Sequence, residues 1–153
     1  MQSKQLHIVY KQIIPNVYFD FNDLVYNLEL QSTLSEIKET FLLKIKKSGV
    51  PKINEIREEL IKASKKRLSS CVVFSSLCSH KASTPFHTDK EAVLILNTYG
   101  CVCYNLYYQG YTQNIILEKG DAIYIPSMLG HSALPLTPRI SLSYECEGEN
   151  YLD

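Results

Sequence analysis

Residues 119–131 read Lys119-Gly120-Asp121-Ala122-Ile123-Tyr124-Ile125-Pro126-Ser127-Met128-Leu129-Gly130-His131. Gly120-Asp121 is a tight-turn pair, Ala122–Ile125 is a β-prone run, and Pro126 stops it because proline cannot donate to a strand ladder. A short loop follows, and His131 opens the next run. The same unit recurs on both sides. Upstream, runs at 71–77, 92–97, 102–108 and 114–118 are broken by Ser83-Thr84-Pro85, Tyr99-Gly100 and Gln109-Gly110. Downstream, runs at 131–134 and 140–145 flank the segment from Pro135 to Pro138. Short strands at this spacing, with no helix between them, predict a sandwich or small jelly-roll barrel and argue against a parallel α/β sheet.

The first half of the chain reads differently. Residues 1–70 hold 12 of the 16 Lys and Arg residues, so the basic charge is separate from the β-rich half. Leu34, Ile37, Phe41 and Ile45 recur at helical spacing, Thr33 and Glu36 have capping-box spacing, and Gly49-Val50-Pro51 marks a stop, which predicts a helix. A second helix is expected from Asn54 as N-cap, with Ile56, Leu60 and Ile61 on one face. Lys62, Lys65, Lys66 and Arg67 fall near its end, where cations suit the helix dipole, and are read as a solvated helix end. Leu6–Ile14 and Val17–Phe21 read as short strands. The chain thus divides into an N-terminal helical or mixed segment (1–70) packed on a barrel, a β core (71–146) and a tail (147–153). The expected class is mainly β with N-terminal helices. Those helices buttress the barrel or offer a homodimer surface.

At 153 residues and 17.5 kDa, one domain with a real core is expected. Sixteen basic and sixteen acidic residues cancel, with a pI near 6.9, which argues against a dedicated nucleic-acid binder. Cys71, Cys78, Cys101, Cys103 and Cys146 are odd in number and form no Cys-x-x-Cys, which points to a reducing, cytoplasmic compartment. The start has no apolar signal region, and no run approaches 18 apolar residues, so no membrane partner is expected.

Chemistry concentrates in His87-Thr88-Asp89, at a strand entry after Pro85. Residues i and i+2 of a strand share a face, so an imidazole and a carboxylate can converge on one ion. His131, at the start of another strand, supplies a third ligand. Two His and one carboxylate leave one side of a metal open, an arrangement that suits non-haem Fe(II). Arg139 and Ser141 also alternate onto one face, and a guanidinium beside a hydroxyl can grip a carboxylate.

With these residues in place, 71–146 resembles the Jumonji-C-like cupins, Fe(II)- and 2-oxoglutarate-dependent oxygenases built on a double-stranded β-helix. Their pattern runs Thr-Pro-x-His-x-Asp, an apolar strand, a Gly, a Gly-Asp turn, an apolar strand ending in Pro, and a His. Thr84, Pro85, His87, Asp89, Gly100, Gly120, Asp121, Pro126 and His131 match it in order. The resemblance implies that His87, Asp89 and His131 bind Fe(II) and that Thr84 contacts the distal carboxylate of 2-oxoglutarate. Many members place a Lys two residues after the Gly to pair with that carboxylate; here Val102 stands there. Other branches of the 2-oxoglutarate oxygenases use Arg-x-Ser after the second His, and Arg139 and Ser141 fit that pattern. The implied activity is hydroxylation of a C–H bond in a small molecule or side chain, with release of succinate and CO2. Two alternatives stay open. One is a metal-binding cupin of another reaction type, an isomerase or a dioxygenase independent of 2-oxoglutarate; the other is a non-catalytic binding module. The short chain favours a small-molecule over a peptide substrate.

The remaining candidates are aromatic, thiol and imidazole groups. Tyr104 and Tyr124 are expected to line the pocket, since a Tyr hydroxyl can reach a bound carboxylate. Cys101 and Cys103 are read as small packed residues rather than a soft-metal site. Gly120-Asp121 is read as a turn, His80 as a surface loop residue and His7 as structural.

Overall fold

Along β11 (Arg139–Asn150) the side chains alternate: Ile140, Leu142, Tyr144 and Cys146 face one way, and Arg139, Ser141, Ser143 and Glu145 the other. Residues 139–144 are all buried, so this strand is covered on both faces. The computed structural model describes residues 6–30, 34–37, 40–45, 50–77 and 84–150, and explains the double burial. Before β11 come β1 (Ile8–Tyr10), α1 (Phe21–Leu30), β2 (Leu34–Ile37), β3 (Thr40–Ile45), α2 (Pro51–Ser64) and β4 (Leu68–Ser76). Then follow β5 (Thr84–His87), β6 (Glu91–Tyr99), β7 (Val102–Tyr108), β8 (Tyr111–Leu117), β9 (Ala122–Ile125) and β10 (Gly130–Pro135). A seven-stranded sheet runs β1-β9-β6-β11-β4-β3-β2, and a four-stranded sheet runs β5-β10-β7-β8. The described pairings are antiparallel.

Two cores result. The outer one packs Phe19, Leu24, Ile53, Ile56 and Leu60 against Leu94, Leu96, Tyr124, Leu142 and Tyr144 of the large sheet. The inner one lies between the sheets and holds Ile95, Ile123 and Ile125 against Val102, Tyr104, Leu106, Leu117 and Ala133. Period-two alternation sorts consecutive residues, such as Ile123 and Tyr124, into different cores. Gly100 turns the chain from β6 to β7 at φ +72°. A Cβ there would sit 2.6 Å from Thr137 Oγ1 and closer still to the Pro138 carbonyl oxygen, so only glycine fits. No described helix is long and apolar enough to cross a membrane.

The structure departs from the sequence reading in four places. Leu34–Ile37 and Thr40–Ile45 form the antiparallel strands β2 and β3, not a helix. Helical spacing among four apolar residues is also compatible with a strand, and β3 gains a full ladder by pairing Thr40–Ile45 with Ser76–Cys71 of β4. That long-range ladder overrides the local periodicity. Second, α2 starts at Pro51, not Asn54, with Val50 as N-cap and proline at the first position. Gly49-Val50-Pro51 therefore includes a start, because the missing N–H of proline costs nothing in a first turn. Third, 17–21 is not a strand. Asp20 Oδ1 accepts from the amides of Asn22 (3.0 Å) and Asp23 (3.1 Å), and Asp23 Oδ2 accepts from the Asp20 amide (3.0 Å). This reciprocal cap starts α1, a helix the sequence reading did not include. Fourth, β11 continues through Asn150, beyond the boundary expected at 146, and β1, β2 and β3 add strands to the large sheet rather than only packing on it.

Candidate metal centre

His87 closes β5 and His131 lies near the start of β10. The two strands pair antiparallel with His131 opposite His87, which brings the ring centroids to 4.2 Å. Asp89 is not on the strand, as the i, i+2 argument assumed, but two residues past the end of β5, in the turn to β6. The turn brings it to the same place. Asp89 Oδ2 lies 3.6 Å from His87 Nε2 and 3.3 Å from His131 Nε2. The three donor atoms fall within 4.8 Å of one another.

The second nitrogens decide what those atoms offer. Nδ1 of His87 meets the Pro85 carbonyl at 2.9 Å, and Nδ1 of His131 meets the Leu129 carbonyl at 2.9 Å. A carbonyl only accepts, so Nδ1 carries the proton in both rings, and each neutral ring aims the lone pair of Nε2 at Asp89. Two lone pairs facing a carboxylate oxygen repel unless a proton or a cation lies between them. Carbonyl-oriented imidazoles beside a carboxylate are the donor set of a divalent transition metal, and the site fits one. In the metal-free protein, a proton between His87 and Asp89 can perform that role. The hydrogen bond to Asp89 pushes the His87 imidazole up, against an opposing effect of burial. Burial would raise the Asp89 carboxyl, but hydrogen bonds from His131 and His87, and their charges, hold it well below the usual carboxylate range.

The triad borders a cavity of about 190 Å³ between the sheets. Its walls include Val72 and Phe74 of β4, Val93 and Ile95 of β6, and Tyr104 and Ala133 of the small sheet. Arg139 lines the same cavity and is fully buried, at 0% exposure. Its Nε donates to Ser76 Oγ (3.3 Å), and its Nη1 donates to Ser141 Oγ (3.0 Å) and Tyr104 Oη (3.4 Å). Ser141 Oγ passes its own proton to Asn97 Oδ1 at 2.9 Å. Arg139 Nη2 has no hydrogen-bond partner among the described residues, and no described carboxylate pairs with the guanidinium. A buried cation without a carboxylate partner is expensive, and this arrangement can accept an anion.

The structure therefore brings together His87, Asp89, His131, Arg139, Ser141 and Tyr104. It does not bring Tyr124 to the cavity. Alternation on β9 turns Tyr124 to the outer core, where its hydroxyl donates to Glu149 (3.4 Å) and Lys66 Nζ sits 3.9 Å from its ring centre. Thr84 opens β5 opposite Ala133, but its side chain lies outside the described residues, as do His80 and Cys78. Val102 is fully buried in the inner core. Asp121 is buried in its turn and accepts from the amides of Gln12 and Glu118, both at 2.9 Å. His7 is hydrogen-bonded to Tyr108 Oη. Sequence reasoning missed Ser76, Asn97, Ser143 and Glu145. The last two were legible, because they continue the alternation that selected Arg139 and Ser141.

No protein-family model and no curated protein matches the chain. Solved structures do. The Escherichia coli ribosomal oxygenase YcfD in complex with cobalt and 2-oxoglutarate superposes at TM-score 0.74 and 16% identity, over 95% of this chain and 49% of that one. YcfD with cobalt and succinic acid gives TM-score 0.73 at 15% identity, over 94% and 48%. A variant of Bacillus subtilis oxalate decarboxylase gives 0.54 at 18% identity, over 76% and 28%. This chain thus spans about half the length of the ribosomal oxygenase. At these identities the likeness shows the fold alone, a double-stranded β-helix.

Proposed function

We propose that this chain is an Fe(II)- and 2-oxoglutarate-dependent oxygenase that hydroxylates a C–H bond of a small molecule or side chain. One observation carries the reading: a His-Asp-His metal site and a fully buried arginine without an acidic partner line one cavity. The cobalt and 2-oxoglutarate complex of the structurally similar YcfD supports it. When bound, Fe(II) supplies the redox chemistry that couples decarboxylation of the cosubstrate to substrate oxidation.

The chain's own share is binding and orientation. His87 Nε2, His131 Nε2 and Asp89 Oδ2 would hold the metal at the wall of the cavity. Arg139 Nη2 is free to take the distal carboxylate of 2-oxoglutarate, and Ser141 and Tyr104 fix the plane of the guanidinium. Val72, Phe74, Val93 and Ile95 supply an apolar wall beside the triad. Four described cysteines are free thiols, which supports a reducing, cytoplasmic setting.

The test uses the full chain, purified without oxygen and loaded with Fe(II). Addition of 2-oxoglutarate is expected to produce a weak visible charge-transfer band, and oxygen is expected to release succinate. Both signals should vanish in His87→Ala. Metal uptake with neither signal would replace this reading by a cupin acting without 2-oxoglutarate. No metal uptake would leave a binding module.

A further inference from the structure

Phe86 stands between Pro85 and the ligand His87, with its ring 56% exposed. Alternation sends His87 into the cavity and Phe86 to the outer face of the small sheet. There its ring meets Tyr107 edge-on, with centroids 4.7 Å apart, and covers Gly130, the residue before His131. A Cβ on Gly130 would lie 2.7 Å from Phe86 Cζ and closer still to Cε2, a contact that real side chains do not make. Gly130 is not among the glycines with positive φ, so its backbone would accept any residue. A side chain there would have to push the half-exposed phenyl ring off its seat.

The contact falls on a short edge ladder. β5 has four residues and lies at the sheet edge with β10 as its one neighbour, and the β5–β10 register shifts between His131 and Ala133. Backbone pairing sets His131 opposite His87, but this ladder is short and its register breaks just beyond them. Asp89 is held independently, because its carbonyl accepts from the Met128 amide at 2.8 Å.

We propose that Phe86 is a positioning residue: seated on Gly130, its ring sets the approach of β5 to β10 and so holds His87 and His131 at the separation a metal requires. The inference rests on reading the triad as a metal site. It adds that the tightness of the site depends on a contact on the opposite face of the sheet, with no group touching metal or substrate.

The test is Co(II) titration of the full metal-free chain, followed by the visible ligand-field bands and accompanied by the apo thermal midpoint. The variants are Phe86→Ala, Phe86→Tyr, Gly130→Ala and the double variant Phe86→Ala/Gly130→Ala. Gly130→Ala is expected to weaken cobalt binding about tenfold to a hundredfold and to alter the bands, the usual scale for losing support around a ligand. Phe86→Ala should weaken binding about tenfold while leaving the apo midpoint near that of the wild type. Phe86→Tyr should keep the wild-type affinity and spectrum. The double variant should bind cobalt better than Gly130→Ala alone, because the added methyl then has room. Wild-type affinity and bands in Phe86→Ala would overturn the proposal, and so would a double variant whose losses simply add. Should Gly130→Ala fail to fold, the two variants at the exposed position 86 still decide. A wild-type chain that takes up no cobalt, or takes it up equally after His87→Ala, sinks the metal reading and this inference together. That outcome differs from a Phe86→Ala that binds normally.

Discussion

Arg139 sets function against stability within one side chain. Its guanidinium is fully buried, hydrogen-bonded to Ser76, Ser141 and Tyr104, and forms no ion pair with a described carboxylate. Replacing a buried unpaired charge by an apolar group of similar size is commonly neutral or stabilising. Arg139→Met is therefore expected to leave the thermal midpoint unchanged or raise it. The same variant should weaken 2-oxoglutarate binding by about 1.5–3 kcal/mol, the worth of a hydrogen bond to a charged group, with Co(II) affinity unaffected. Calorimetric titration of the cobalt-loaded protein checks this, and a destabilised variant that still binds 2-oxoglutarate normally would show Arg139 to be structural. The triad makes a second prediction. The His87 imidazole is raised, so its bound proton adds stability that is complete below the ordinary imidazole value, about 6.5, and lost as pH rises through the higher folded value. The Asp89 carboxyl is depressed, so its contribution is present above the ordinary carboxylate range and lost as pH falls through the lower folded value. Apo stability should therefore decline from pH 6 to pH 8.5, while Co(II) affinity climbs over the same window as protons leave the ligands. Unfolding curves and cobalt titrations at each pH, with His87→Ala as reference, read both slopes. Residue identity made the triad legible, as did the Arg139–Ser141 alternation. The inward or outward sense of a four-residue strand was not, and Tyr124 shows why: its neighbours Ile123 and Ile125 are as apolar as the core it joins, so the sequence does not mark which face is which.

At the scale of elements, tertiary ties decide what periodicity leaves open. β1 is three residues long at the edge of the large sheet, and a strand so short does not hold itself. Asp121 pins the chain just beyond it. Its carboxylate accepts from the Gln12 amide (2.9 Å), the Gln12 side chain (3.0 Å) and the Glu118 amide (2.9 Å). Lys11 adds an ion pair at 3.2 Å, but its side chain is 65% exposed and contributes little. Burial would raise the Asp121 carboxyl, yet these hydrogen bonds from Glu118, Gln12 and Lys11 keep it lowered. Asp121→Ala is expected to destabilise the protein by about 1–3 kcal/mol, the cost of stranding partly buried donors, and to speed hydrogen exchange at the amides of Ile8–Tyr10. Unchanged exchange there would mean that β1 is held by its ladder alone. The Gly120-Asp121 turn was legible from the sequence, but its partner Gln12 lies more than a hundred positions away and was not. The β2–β3 strand pair is the converse: a local helical pattern gave way to a ladder with β4 that no local window contains.

At the scale of the whole molecule, the two cores separate stability from chemistry. The inner core and the cavity share Ile95, Tyr104 and Ala133, whereas Leu60 of α2 is fully buried in the outer core, on the far side of the large sheet. Leu60→Ala is expected to cost about 2–5 kcal/mol, the usual range for emptying a core position. A domain of this size generally has enough margin to stay folded at 25 °C after such a loss. Since the sheet between the cores is tied strand to strand, the loss should lower the thermal midpoint and leave Co(II) affinity at 25 °C unchanged. Cobalt itself should reverse part of the loss. A ligand that binds only the folded state at a hundred times its dissociation constant adds about 2.7 kcal/mol. For a chain of this length, that raises the midpoint by about 5–10 °C in wild type and in Leu60→Ala alike. Thermal scans of both proteins with and without cobalt measure the two shifts. Equal shifts mean that the outer layer is scaffold only. A smaller shift in Leu60→Ala would mean that helix packing reaches through the large sheet to the ligands, and that the N-terminal half is part of the metal site's support.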